Sequence, residues 1–159
     1  MSHGITEFDN LFVSFTPAWH GLGTVVDEAL SSEDALRIAK LDWNIEQFPV
    51  FVNNRKVENS FGNVRSDTGD CMGIVSKKYV PMQNREAFAF VDDLMGLDEA
   101  VVKYESAGSL WGGQRVWMMA RIPDSKILDD TIANYLFISN SHDGKSSVKI
   151  GLTNVRICC

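Results

Sequence analysis

Apolar positions recur with two different periods along this chain, and the two periods predict different elements. After Ser31, apolar residues recur at helical spacing through Ala39, and the acids that follow Ser31 are typical of a helix N-terminus. We therefore predict a helix of about ten residues there, capped by Ser31. Apolar and polar residues then alternate over positions 41–52, which predicts a strand that turns at Asn53 and Asn54.

The middle of the chain predicts a return strand and a second helix. Residues 57–64 and the apolar run 71–75 flank a polar turn, which indicates a hairpin. The second helix has Asn84 as its predicted cap. On its buried face we expect Ala87, Phe90, Val91 and Leu94.

The last third of the chain predicts two more hairpins. Alternation on both sides of Gly112 and Gly113 indicates a long hairpin, and residues 140–145 form a hairpin-type turn between two further strands. The first thirty residues contain Pro17 and are predicted to form an irregular segment. Together these elements predict an α+β fold, with one antiparallel sheet built from about three hairpins and two helices packed on one face. No linker or repeat divides the chain, so residues 1–159 are predicted to form a single domain.

The composition places the chain among folded proteins and lowers the prior for nucleic-acid binding. Hydrophobic residues make up 45% of the 159 residues and charged residues 23%. With a formal net charge of −6, the chain lacks the excess of basic residues found in most proteins that bind nucleic-acid phosphates. This charge does not exclude DNA binding. Cys71, Cys158 and Cys159 are too few and too poorly spaced for a disulfide framework. The N-terminus has no basic region ahead of an apolar stretch, and no apolar run approaches the length of a membrane span. These features predict a cytoplasmic protein.

Two histidines have side chains suited to catalysis, but their surroundings favour a structural role. His20 lies in Trp19-His20-Gly21, and His142 precedes Asp143 and Gly144. Imidazole and carboxylate groups serve as general bases or metal ligands, yet the spacing of no known metal motif is present and His-Asp-Gly is also good turn chemistry. We therefore expect no metal and no cofactor, and the balance leans against an enzyme.

Aromatic and basic residues in the predicted long hairpin suggest a binding surface. Such residues stack unpaired bases and neutralise phosphates when they share one sheet face. They are Tyr104, Trp111, Arg115, Trp117 and Arg121. The same residues would serve equally as cross-strand pairs, with the aliphatic stems of the arginines covering the sheet.

Seven short motifs carry a resemblance to a known family. They lie in order at residues 17–26, 41–43, 65–69, 73–88, 107–117, 140–144 and 155–159. Their polar and aromatic members include Trp19, His20, Arg65, Asp67, His142, Asp143, Arg156 and Cys159. In this series the chain resembles the phage/plasmid-related family known as domain of unknown function 932.

The resemblance implies a setting more than an activity. It implies a protein of phages, prophages or plasmids that acts inside a bacterial cell, and it implies no reaction. Relatives continue beyond the residue that matches Cys159 with a largely helical half, so the chain is expected to be the N-terminal part of a longer architecture.

Three functional hypotheses follow from these observations. The leading one is a non-enzymatic binding protein in the nucleic-acid metabolism of a mobile element, of the single-stranded DNA-binding type and acting in replication or recombination. The alternative is a counter-defence or regulatory protein that binds a host protein through an acidic surface. The third is a metal-dependent enzyme built on His20, His142, Asp143 and Cys159.

Overall fold

The structure is a computed structural model that describes residues 11–14, 24–26, 31–95, 103–127 and 130–154. In these ranges lie two α-helices, one short 3-10 helix (Trp111–Gly113) and nine strands. The α-helices are α1 (Ser32–Ile38) and α2 (Asn84–Met95). The strands are β1 (Leu11–Ser14), β2 (Thr24–Val26), β3 (Ile45–Val52), β4 (Arg55–Arg65), β5 (Cys71–Ser76), β6 (Lys103–Leu110), β7 (Arg115–Ile127), β8 (Asp130–Ser141) and β9 (Lys149–Thr153).

The strands form two sheets. The large sheet has the order β2-β1-β6-β7-β8-β9, and all its pairings are antiparallel except that of β1 with β2, which is parallel. The small sheet has the order β3-β4-β5 and is antiparallel. The α+β character is confirmed, whereas the prediction of one sheet is wrong. Alternation within a strand shows which side chains share a face, but it does not show which other strand pairs with it.

The first thirty residues contain β1 and β2, which corrects the prediction of an irregular segment there. These strands have four and three residues, too few for a period of two to be recognised in the sequence. Their pairing is non-local, because β1 lies beside β6 with Phe12 opposite Ala107.

Both helices pack on one face of the large sheet, as predicted. Helix α1 is shorter than expected, but its cap is confirmed, because the Ser31 hydroxyl accepts a hydrogen bond from the backbone of Asp34. Ala35 and Leu36 from this helix are buried in one core with apolar side chains of α2, β6, β7 and β8. Leu41 and Trp43 join the same core from the connection that precedes β3.

Helix α2 differs from its prediction at the cap and on the buried face. The backbone N–H of Gln83 donates to the Glu86 carboxylate, and Asn84 is already the first helical residue. Ala87 and Val91 are buried as expected, together with Phe88, whereas Phe90 is exposed. The side chain of Leu94 lies outside those that the structure describes. The buried stripe therefore runs through i, i+1 and i+4 from Ala87, and Phe90 lies outside it.

The predicted turn between β3 and β4 is confirmed. Asn53 and Asn54 have φ angles of 48° and 58°, a left-handed pair that asparagine tolerates better than most residues. A two-residue turn of this kind matches the right-handed twist of the strands on either side of it. A signal of two neighbouring residues was therefore enough to locate the turn.

Candidate functional site

The polar motif residues meet where the small sheet lies against the turn at 140–145. Arg65, at the end of β4, is the centre of one half of this cluster, and its side chain is buried. Its Nε and Nη2 donate to the two carboxylate oxygens of Asp67 at 2.9 and 2.6 Å, and its Nη1 donates to the Gly112 carbonyl at 2.9 Å. The guanidinium also lies 4.5 Å from the ring centre of Trp43. Arg65 thereby joins the small sheet to the turn between β6 and β7.

His142 is the centre of the other half and is fully buried. Asn84 Nδ2 donates to the Leu41 carbonyl at 2.9 Å, which leaves Asn84 Oδ1 to accept from His142 Nε2 at 2.8 Å. The proton therefore lies on Nε2, and Nδ1 has no hydrogen-bond partner among the described residues. Burial lowers the pKa of His142 from 6.5 to about 4, and the positive charge of Arg65 acts in the same direction. The imidazole is neutral at pH 7.

Asp143 is a buried carboxylate held by its own turn. Its Oδ1 accepts from the Ser141 hydroxyl and from the backbone N–H of Lys145. Burial alone would raise the pKa of Asp143, but these hydrogen bonds and the nearby Lys145 and Arg115 charges outweigh it and hold the pKa below 3.8. Asp143 is therefore ionised at neutral pH and orders residues 140–145.

At the same place, the backbone of the small sheet lies very close to the backbone of the turn at 140–145. A Cβ on Gly73 of β5 would lie 2.6 Å from the Asp143 carbonyl oxygen, so glycine is required there. Asn63 Nδ2 donates to the His142 carbonyl at 2.8 Å, and the Tyr79 hydroxyl donates to the Ser141 carbonyl at 3.0 Å. The described motif residues thus form one polar cluster whose bonds stabilise the contact between the two sheets.

The structure separates the residues of the predicted aromatic and basic surface. Tyr104 and Trp117 are buried, and the Tyr104 hydroxyl donates to Asp92. Arg121 donates to the Asp124 carboxylate at 3.0 Å and lies 3.7 Å from Glu105. A base has little access to Tyr104 and Trp117, and the charge of Arg121 is already paired with Glu105 and Asp124.

Two members of that surface remain together at the protein surface. Trp111 is 44% exposed, and the Arg115 guanidinium lies 5.0 Å from its ring centre. Both residues flank the tight turn that joins β6 to β7. We call this pair the Trp111–Arg115 corner.

The remaining predicted site residues give no open catalytic centre within the described ranges. Trp19, His20, Arg156 and Cys159 lie outside the described residues. Across the described part of the chain, no group of three or more His, Cys, Asp or Glu side chains has metal-binding geometry.

One exposed feature was not recognised as a candidate site from the sequence. Residues 50–59, at the far end of β3 and β4, expose the apolar side chains Phe51 and Val52 next to Arg55 and Lys56. We call residues 50–59 the arm. The signal was present in the sequence as Val50-Phe51-Val52 followed by Asn53-Asn54-Arg55-Lys56, but an alternating strand also has apolar residues, and only the structure shows these to be exposed.

These observations define an α+β protein in which a buried polar cluster joins a small sheet to a large, helix-covered sheet. The chain belongs to the family described as domain of unknown function (DUF932), whose sequence profile matches residues 71–159, more than half of the chain. Comparison with curated proteins and with solved structures gave no significant match. No helix within the described ranges is long and apolar enough to cross a membrane.

Proposed function

We propose that the protein is a non-enzymatic binding protein that takes single-stranded DNA in the nucleic-acid metabolism of a mobile element. The observation that carries the proposal is the conformation of Trp111. Its φ angle is 54°, in the left-handed region where a bulky side chain costs roughly 1–2 kcal/mol. Strain of this kind, maintained to hold an indole in solvent, favours a binding role over a packing role.

Arg115 supplies the second half of the corner. Its guanidinium lies 5.0 Å from the centre of the Trp111 ring. A phosphate is the natural acceptor for a guanidinium, and a base stacks on an exposed indole. The corner therefore has the two chemical elements that one nucleotide of a single strand requires.

The overall charge limits the strength of this binding. With a net charge of −6, long-range attraction of a polyanion is absent, so affinity depends on local contacts and falls with salt. The assignment to a mobile element rests on the sequence resemblance described above.

The proposal is tested by fluorescence anisotropy with a labelled oligothymidylate at two salt concentrations. Trp111→Asn keeps a residue that tolerates the left-handed backbone and removes the indole. Because stacking on an aromatic side chain contributes about 1–3 kcal/mol per base, we expect the Kd to rise roughly five- to hundredfold, with no loss of stability in urea.

Phe90→Ala is the matched control, because Phe90 is 45% exposed on α2, close to the exposure of Trp111. It should leave the Kd unchanged. The proposal is overturned if the wild-type protein shows no salt-sensitive binding, or if Trp111→Asn and Phe90→Ala have the same effect.

A second candidate, binding of a host protein in counter-defence or regulation, is favoured by the outer face of the small sheet. Phe48, Gly62 and Ile74 lie opposite one another across its three strands, and Ile74 is 63% exposed. Gly62 leaves a gap between two apolar side chains, a shape suited to an apolar side chain of a partner. Recovery of one defined host protein by the wild type but not by Ile74→Lys, without DNA affinity, would favour this candidate.

A further inference from the structure

The arm is a two-stranded ribbon that extends past the small sheet. Phe51 lies opposite Lys56, and Val52 lies opposite Arg55. Strand β5 pairs with β4 only from Ser60 onward, and within the arm the paired residues are Phe51 with Lys56 and Val52 with Arg55. At about 3.3 Å per residue, residues 50–52 span roughly 10 Å and residues 55–59 roughly 16 Å.

The backbone of the arm is preorganised at both of its ends. Asn53 and Asn54 form the left-handed turn at the tip, and Asn59 at the base has a φ angle of 59°. The strand register shifts between Pro49 and Phe51, where residues 57–60 of β4 face a single residue of β3, so Asn59 lies within a bulge. A ribbon with a defined turn and bulge loses less entropy when it binds a ligand than an irregular loop does.

The apolar residues at the tip of the arm are exposed, so packing within the protein does not explain why they are apolar. Phe51 and Val52 are each 59% exposed. A hairpin of two strands is marginally stable by itself, so exposed apolar residues on it do not contribute much to folding. They are more simply explained by contact with a ligand.

The charge of the arm is opposite to the charge of the whole chain. Arg55 and Lys56 are exposed on the arm, where Glu58 is the one acidic residue. The backbone N–H of Lys77 donates to the Asn59 carbonyl at 3.0 Å, which brings Lys77 and the exposed Lys78 to its base. Among the described residues, these four cations form no ion pair in the structure.

We propose that the arm binds the sugar-phosphate backbone of single-stranded DNA through Arg55, Lys56, Lys77 and Lys78 while Phe51 stacks on an unpaired base. Unpaired cations in an acidic protein match a polyanion. The exposed phenyl ring favours a single strand, because the faces of duplex bases are covered by their neighbours. This inference rests on the proposed function and adds a second contact, separate from the Trp111–Arg115 corner.

The test is the salt dependence of oligothymidylate binding by the double variant Arg55→Gln/Lys56→Gln. Each phosphate contact contributes about −0.7 to the slope of log K against log salt for a single strand, so the slope should become shallower by about 1.4. Phe51→Ser should raise the Kd without changing the slope. Both variants should unfold at the wild-type urea concentration, because the substituted side chains are exposed.

The matched control is Lys126→Gln/Lys149→Gln, which removes two exposed charges from the large sheet and should leave the slope unchanged. A wild-type slope in Arg55→Gln/Lys56→Gln overturns the inference even if Trp111→Asn weakens binding. If the arm variants weaken binding and Trp111→Asn does not, the arm is the site and the corner is not. Equal competition by a duplex of the same length overturns the assignment to a single strand.

Discussion

Arg65 shows why a charged residue is retained in the interior of this protein. Two of its nitrogens match the Asp67 carboxylate, a third binds the Gly112 carbonyl, and its flat guanidinium rests on Trp43. Lysine would supply the charge but neither the planar fork nor the stacking surface. The motif Arg65-x-Asp67 was recognised in the sequence without a role, and the structure gives it one in joining the two sheets.

His142 makes the stability of the protein depend on pH. Its pKa is 6.5 when unfolded and about 4 when folded, so between these values the unfolded chain binds more protons and folding weakens as the pH falls. The imidazole contribution is complete above pH 6.5 and is lost by about pH 4. We expect a loss on the order of 3 kcal/mol across that window from this group, measured by urea unfolding at pH 7, 6, 5 and 4.

The variant His142→Gln isolates this effect from the titration of the carboxylates. A glutamine amide nitrogen is able to donate to Asn84 in place of Nε2 but does not titrate. The pH dependence of His142→Gln should therefore be shallower than that of the wild type between pH 7 and pH 4. Parallel curves for the two proteins would show that His142 is not buried in its neutral form.

At the level of the elements, β5 approaches the 140–145 turn too closely for any side chain at position 73. The atoms that a new Cβ would meet are backbone atoms of Asp143, which are unable to rotate away. We expect Gly73→Ala to lower the free energy of unfolding by about 1–3 kcal/mol, the usual cost of overpacking. Urea denaturation followed by tryptophan fluorescence measures it.

Gly62→Ala is the control for this substitution within the same sheet. Its Cβ would lie 3.4 Å from Cys71 Sγ on the outer face, an ordinary contact. A loss of stability in Gly62→Ala as large as that in Gly73→Ala would mean that alanine weakens the small sheet itself and that contact with the turn is not the cause.

Whether an element was predicted correctly depended on how close in the sequence the residues that determine it lie. The Ser31 cap and the Asn53 and Asn54 turn were found because each signal lies within a few residues of the structure it produces. The Asn84 cap was predicted wrongly, because its side chain instead bonds Leu41 and His142, residues 43 and 58 positions away. A residue type typical of caps is therefore ambiguous when a distant partner competes for it.

For the molecule as a whole, the arm and the base of the small sheet should differ in stability. Residues 61–64 of β4 pair with both neighbours, and Asn63 is bonded to the 140–145 turn, whereas residues 50–58 form the exposed ribbon. Native-state hydrogen exchange should show amides near Asn63 opening with the global free energy and arm amides opening at least several kcal/mol below it. Uniform protection along β4 would contradict this prediction.

Charge is the property for which the whole-molecule value was least informative. The net charge of −6 argued against a polyanion ligand, but the arm carries two exposed cations and one acidic residue. Binding energy depends on the local arrangement within a Debye length of about 10 Å, so a sum over the chain does not decide it. The predicted surface of five residues was likewise reduced to Trp111 and Arg115, because both faces of β7 are buried around Trp117 and Met119.

The sequence by itself determined the α+β character, the caps and turns made by neighbouring residues, and the family, because periodicity and motif order are properties of the chain. Tertiary structure alone decided that the strands divide into two sheets and that the polar motif residues meet in one buried cluster. It also decided that Phe51 is exposed while Trp117 is buried. The reason is that burial and partner choice depend on contacts between residues far apart in the chain, which no local pattern encodes.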